Sequence, residues 1–130
     1  MAERVLREGP APLVESMIPR LFAETTRQQH PETVERLQSV MMSNDPRGIA
    51  AASLGMAERP DMTAELGRIG CPTLVIVGEQ DVISPAAEMR GIAEAIPGSK
   101  YVEIPEAGHM SPMEAPAAVN AAIGAFLAGL

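Results

Sequence analysis

The segment Cys71-Pro72-Thr73-Leu74-Val75-Ile76-Val77-Gly78-Glu79-Gln80-Asp81 reads as a buried strand running into a polar loop. Leu74 to Val77 is a continuous branched apolar run closed by Gly78, the pattern of a strand covered on both faces in a parallel sheet. Downstream the pattern continues as helix, strand, helix. Ser84-Pro85 starts a helix, with serine as cap and proline at the first position, and Met89, Ile92 and Ile96 give it a buried face. Pro97-Gly98-Ser99 is a turn, Tyr101-Val102-Glu103-Ile104 a short alternating strand, and Pro105 to Pro112 a loop. Val119, Ala122, Ile123, Phe126, Leu127 and Leu130 form one stripe of a last helix. A strand–helix–strand crossover of this length predicts a right-handed parallel pair and an α/β fold class. Two parallel strands cannot cover both faces or close their edges. The run Leu74–Val77 therefore asks for strands from another chain or from a larger fold.

Residues 1–69 carry helical period only. Leu13, Val14, Met17, Ile18, Leu21 and Phe22 recur along one amphipathic stripe, which Pro19 is expected to kink or split. Pro31 opens a second helix with Val34, Leu37 and Met41 on its apolar face. Asn44-Asp45-Pro46 is a break with capping chemistry before an Ala-rich helix from about Arg47 to Glu58. Arg59-Pro60-Asp61 ends it, and Asp61 or Thr63 caps a short turn ending near Gly67.

Composition narrows the function classes. The chain has 130 residues, a little under one domain at roughly 150 residues each. Its net charge of −7 and three aromatic residues leave neither a cationic track nor a stacking platform, so no nucleic-acid partner is expected. No apolar run reaches the ~20 residues that span a bilayer. Met1-Ala2-Glu3-Arg4 is polar and is not followed by an apolar leader, so the expected compartment is the cytoplasm. Cys71 is the single cysteine, which excludes an internal disulfide. His30 and His109 are far apart and no Cys/His pair has ligand spacing, so no metal is expected. No Gly-rich loop leads from a strand into a helix, so no cofactor is expected either. The nine methionines are either core filler in place of aromatics or a pliable lining for an apolar ligand.

Chemistry-bearing residues collect after the two strands. Asp81 follows the first and His109 the second, and ligands in open parallel sheets bind beyond the carboxyl ends of strands. A carboxylate there can bond one imidazole nitrogen, fix the tautomer, and stabilise the cation formed when the other nitrogen takes a proton. Gly108 lets the backbone turn tightly before the histidine. A lone loop histidine is ordinarily a surface or packing residue; the matching Asp81 loop is what argues for more. Glu79 and Glu106 read as solvated, with a Glu106–His109 pair as the lesser alternative. Ala51-Ala52-Ser53-Leu54-Gly55 imitates a nucleophile turn, but no buried strand precedes it, so Ser53 reads as a helix residue. Cys71 lies at the start of its strand, the wrong end for the site.

Cys71 to Asp81, then Ala95-Ile96-Pro97-Gly98-Ser99, then Ile104-Pro105-Glu106-Ala107-Gly108-His109, resemble the C-terminal third of the α/β-hydrolase family, most of all its small esterase and enol-lactonase branch. Asp81 matches the family's acid motif, an apolar strand followed by Gly-Glu/x-x-Asp. Gly108-His109 and Glu114-Ala115-Pro116 match its histidine motif and the entry to its last helix. Residues 1–69 resemble, more loosely, the helical cap inserted before that strand. The resemblance implies a partial α/β-hydrolase fold: a helical cap (lid) over 1–69, then a β-α-β-α C-terminal part of the core over 70–130. It implies Asp81 as the triad acid that orients and charge-stabilises His109, and His109 as the base; Met110 and Ser111, next to His109 at the expected site edge, are the candidate substrate-binding residues. The family's Gly-x-Ser-x-Gly elbow and oxyanion hole find no counterpart in this sequence.

Two functional expectations follow. In one, the chain is the acid–histidine segment of a carboxylic ester or lactone hydrolase acting on a small apolar substrate. In the other, it is a catalytically inactive truncated module that self-associates, or completes its sheet with an N-terminal hydrolase half. Both predict an oligomer or a complementing partner.

Overall fold

In the computed structural model, which describes residues 1–130, the branched run forms β1 (Leu74–Gly78) and the second strand β2 (Lys100–Ile104). They pair in parallel, Leu74 opposite Lys100 and Gly78 opposite Ile104, so both strands end at the same edge. The crossover helix, Ala86–Ala95, packs on both strands, as does the last helix, Pro116–Leu127. Val119 of the last helix packs with Ile104 and Ala107, and Ile76 and Val102 join on the same sheet face. By strand alternation Val75 and Val77, both buried, face the other way.

Eight helices occur in all. Before the sheet lie α1 (Ala2–Glu8), α2 (Ala11–Leu21), α3 (Glu24–Gln29), α4 (Pro31–Met42) and α5 (Pro46–Ala57), then a 3₁₀ turn over Thr63–Arg68. Around the sheet are α6 (Ala86–Ala95), α7 (Ser111–Glu114) and α8 (Pro116–Leu127). Leu21, Phe22 and Val34 make a second core, against which Met17, Met41, Met110 and Met113 pack. Four methionines thus fill core, while Met1, Met42, Met56 and Met62 are exposed. The second core also takes in Ile83, so the helical segment sits against both loops at the strands' C-terminal edge. No helix is long and apolar enough to cross a membrane.

Several sequence expectations change. Pro19 does not split α2: it lies in the last turn, where the helix ends at Leu21 anyway. Ser84 does not cap α6, which begins at Ala86 with Pro85 extended before it. The reason is local: Asp81 Oδ1 accepts the N–H groups of Ile83 (2.8 Å) and Ser84 (2.9 Å) and holds that backbone out of the helix. The 105–112 loop contains the start of the short helix α7. On α8 the apolar stripe divides: Val119 is buried, Ala122 and Phe126 are half-buried, and Ile123, Leu127 and Leu130 are exposed, because two strands give one helix too narrow a surface. Asp45 caps α5 as expected, accepting from the Arg47 N–H at 2.8 Å; the cap position of the 3₁₀ turn is Met62, and Asp61, one residue earlier, accepts the Thr63 N–H at 2.8 Å.

Tyr101 ties β2 to α6. Its hydroxyl donates to Glu103 Oε2 at 2.9 Å, with the Ala86 carbonyl oxygen 3.2 Å away, and Arg90 stacks 4.4 Å over its ring. Partial burial, helped by the Glu103 carboxylate, holds the phenol above its ordinary value. Because Tyr101 is the only tyrosine and tryptophan is absent, phenolate absorbance reads it alone. We expect its midpoint above the ordinary value of about 10, and a smaller displacement in Glu103→Gln. A raised folded-state value means this contribution to stability is complete below the ordinary value. It is lost as pH rises through the folded one, so the thermal midpoint should fall at alkaline pH.

Candidate active site

Where the strands end, their two loops are woven together. The Glu79 N–H donates to the Ile104 carbonyl at 2.9 Å and the Gln80 N–H to the Ala107 carbonyl at 2.8 Å. The Glu106 N–H donates to the Glu79 carboxylate at 2.9 Å, and Glu106 takes a left-handed φ of 57°. Glu79 is therefore an acceptor that supports a strained loop residue, not only a solvated charge. Two glycines permit the crossing. A Cβ on Gly78 would overlap the carbonyl oxygens of Gly108 and Ala107, and one on Gly108 would stand 2.7 Å from the Ala23 nitrogen. The need for Gly108 is thus close approach to the helical segment; its φ is not in the left-handed region.

This crossing brings Asp81 to His109. Asp81 is 8% exposed, and its Oδ2 lies 2.8 Å from His109 Nδ1. An ionised carboxylate only accepts, so Nδ1 carries the proton. The remaining carboxylate oxygen is occupied by Ile83 and Ser84 N–H, which fixes the carboxylate plane. The imidazole side chain is 35% exposed, and Nε2 has no hydrogen-bond partner within the chain. The pair is thus a buried acid holding the ring through one nitrogen while the other keeps a free lone pair towards solvent. That arrangement can take a proton at Nε2 and stabilise the imidazolium formed. An open cleft of about 340 Å³ adjoins Asp81, lined by Phe22, Arg27, Glu79, Gln80 and Val82 among others.

The other sequence candidates fall elsewhere. Met110 packs on Leu21, Phe22 and Val34 and donates its N–H to the Leu21 carbonyl at 3.0 Å. Ser111 is buried at the start of α7. Ser53 lies inside α5, beside a cleft lined by Met1, Ala2, Glu3, Leu54 and Ala57, with no strand before it. Glu106 does not bond His109; Asp81 does. Exposed Cys71 precedes β1, at the opposite end of the strand from the pair. No cluster of side chains suits a metal ion. Glu114 is the residue that sequence reasoning missed as an individual side chain. Its carboxylate accepts from Gly108 N–H, Ala23 N–H and the Thr26 hydroxyl, each at 2.8 Å. Only the local Gly-His and Glu-x-Pro motifs pointed to that part of the chain.

Residues 5–116 match a family model described as the alpha/beta hydrolase fold. The chain is 32% identical over 126 residues to 3-oxoadipate enol-lactonase 2 of Acinetobacter baylyi, covering 97% of this chain and 46% of that protein. It superposes on a thermophilic esterase from Thermogutta terrifontis with a TM-score of 0.96 at 52% identity, covering 98% of this chain and 47% of the esterase. It superposes on the enol-lactonase from Burkholderia xenovorans with a TM-score of 0.90 at 29% identity, covering 98% and 48%. The chain spans about half the length of the relatives it matches.

Gly78→Ala and Gly108→Ala should each destabilise the fold by about 1–3 kcal/mol, the range for forcing atoms into filled space, as read by urea unfolding. Asp81→Asn keeps the shape but can present a donor to Nδ1. Nitrogen NMR of the histidine rings should then show His109 losing its Nδ1-protonated form while His30 stays unchanged. A His109 spectrum identical to wild type would contradict the bond described.

Proposed function

Because the chain belongs to the α/β-hydrolase family, we propose that it carries the acid–base half of a carboxylic ester or lactone hydrolase. The observation that supports this most is the 2.8 Å Asp81–His109 contact at the carboxyl edge of the parallel strands, with Nε2 free. In this proposal a serine hydroxyl from outside residues 1–130 attacks the acyl carbon. Its proton passes to His109 Nε2 as the oxygen–carbon bond forms. Asp81, bonded at Nδ1, orients the ring and stabilises its positive charge. The same proton then goes to the leaving alkoxide as its bond to the acyl carbon breaks, and water repeats the cycle on the acyl-enzyme. Residues 1–69 serve as the cap. Buried Phe22 lines the cleft beside Asp81, and half-buried Met110 and buried Ser111 follow His109 in the chain, a lining that suits a small apolar acyl group.

A second reading has its own support. Ile123, Leu127 and Leu130 are 40%, 59% and 72% exposed on and just beyond α8, and β1 and β2 have no further strand beside them. The chain would then be a non-catalytic module whose open sheet and helix face are covered by a second copy or by a complementing hydrolase half.

The two readings separate in one experiment. On this proposal the chain alone, incubated with a short-chain chromogenic ester, should hydrolyse it no faster than buffer, since acyl transfer needs a positioned nucleophile and oxyanion donors besides the acid–base pair. Co-folded with an N-terminal hydrolase segment that carries a serine elbow, it should gain turnover. That turnover should drop by about three to four orders of magnitude in His109→Ala and Asp81→Asn. A complemented assembly that stays inactive favours the module. A robust rate from the chain alone that survives His109→Ala overturns both.

A further inference from the structure

We infer that Glu114 is a positioning residue that sets His109 by binding the histidine loop and the helical segment with one carboxylate. Oε1 accepts the Gly108 N–H at 2.8 Å, immediately before His109. Oε2 accepts the Ala23 N–H and the Thr26 hydroxyl, both at 2.8 Å, at the α2–α3 junction. Ala23 and Thr26 are 3% and 5% exposed, and Gly108 is buried. Their donors would otherwise be stranded away from water, which proteins rarely tolerate. No arginine, lysine or histidine pairs with Glu114, so its charge is directed entirely at three uncharged donors. Hydrogen bonds of that charge-assisted kind are the stronger sort and fix direction as well as distance.

The consequence falls on His109. On its far side the Met110 N–H donates to the Leu21 carbonyl at 3.0 Å. The residues on either side of His109 are therefore both tied to the segment Leu21–Thr26: Met110 directly, Gly108 through Glu114. From the opposite side Gln80 N–H grips the Ala107 carbonyl. The loop is pulled towards the helices by one set of bonds and towards Asp81 by the other. Removing Glu114 loosens the helical side, where the Met110–Leu21 bond remains, and with it the ring's hold on Asp81 Oδ2. As far as His109 is the base proposed above, the inference rests on that proposal; the positioning itself does not.

The test uses the whole chain, with ¹⁵N-labelled histidine, in which His30 gives the one other ring signal. His30 is exposed beside Glu32, but it lines a cleft with Glu114 and its N–H donates to the Thr26 carbonyl at 2.8 Å, so the readout is His109 alone. The readout is the His109 Nδ1–H resonance and its exchange with water. In Glu114→Ala that exchange should accelerate about five- to tenfold, the worth of one net hydrogen bond. Glu114→Gln, which keeps one acceptor oxygen, should fall between. Thr26→Val removes a donor from Oε2 but leaves Gly108 its acceptor, so the His109 resonance should stay as in wild type. A folded Glu114→Ala with unchanged His109 exchange overturns the inference. If Glu114→Ala does not fold, the comparison of Glu114→Gln with Thr26→Val decides: a larger His109 effect in Glu114→Gln upholds it, an equal or smaller one overturns it. Ester turnover does not enter. A chain that never hydrolyses, even when complemented, yet shows this dependence on Glu114 counts against the hydrolase proposal alone.

Discussion

The passage of the Ala107–Gly108 peptide over Gly78 is the constraint on which the site depends. Without a side chain at Gly78 the loop leaving β2 can lie directly on the end of β1. The parallel register, with Gly78 opposite Ile104, delivers both chain segments to that spot at the same height. Once they touch, backbone bonds from Glu79 and Gln80 lock the loops, and the three residues after Gly78 are just enough to turn Asp81 inward. Gly108 then meets Ala23, so the same crossing fixes where the helical segment lies. Sheet, site and helices share one point of contact. A single methyl group there would disturb all three.

The acidic excess of the chain has a structural use. Asp45, Asp61, Glu79, Asp81 and Glu114 each accept one or more backbone N–H groups, at helix starts or where loops cross. Two of them are held below the ordinary carboxylate range: Asp45 chiefly by the Arg47 guanidinium, and Asp61 chiefly by the Thr63 hydroxyl. Carboxylates placed this way satisfy donors that irregular backbone leaves open, and they act only while ionised. For Asp45 and Asp61 that contribution is present above the ordinary carboxylate range and lost as pH falls through their folded values. Asp81 belongs to this set as well as to the site. The oxygen that caps Ile83 and Ser84 makes the other oxygen's aim at His109 rigid, so one side chain serves fold and chemistry together.

The parts of the fold legible in the sequence are those set by local pattern. The branched run of β1, the alternation of β2, the Val34–Leu37–Met41 face and the Asp45 cap each follow from spacing within a dozen residues. Asp81 and His109 were legible because each follows a strand, and a parallel pair must put both ends on one edge. Less was readable wherever tertiary contacts compete with local preference. Ser84-Pro85 has the composition of a helix start, but the Asp81 carboxylate takes its backbone. The stripe on α8 has the period of a buried face, yet periodicity cannot say how wide a surface lies opposite. Glu114 meets Ala23 and Thr26 across most of the chain, and no spacing rule connects residues that distant.

What the Asp81–His109 pair can do by itself is bounded by chemistry. A positioned base contributes about 10²–10⁴-fold through proton transfer. Most of the remaining acceleration in acyl transfer comes from donors aimed at the developing oxyanion, each worth about 10²–10³-fold. Four of the backbone N–H groups that flank the pair are already committed: Gly108 to Glu114, Met110 to Leu21, Ile83 and Ser84 to Asp81. None of them can turn towards an oxyanion without breaking a bond that holds the pair in place. The bonds that position His109 are thus the same ones that withdraw these donors from any bound acyl group. In the proposed reaction, an ester or lactone set against Nε2 takes its nucleophile from another segment and gains no oxyanion donor from these four groups. That segment has to approach along the open carboxyl edge of the strands, where the imidazole already faces solvent.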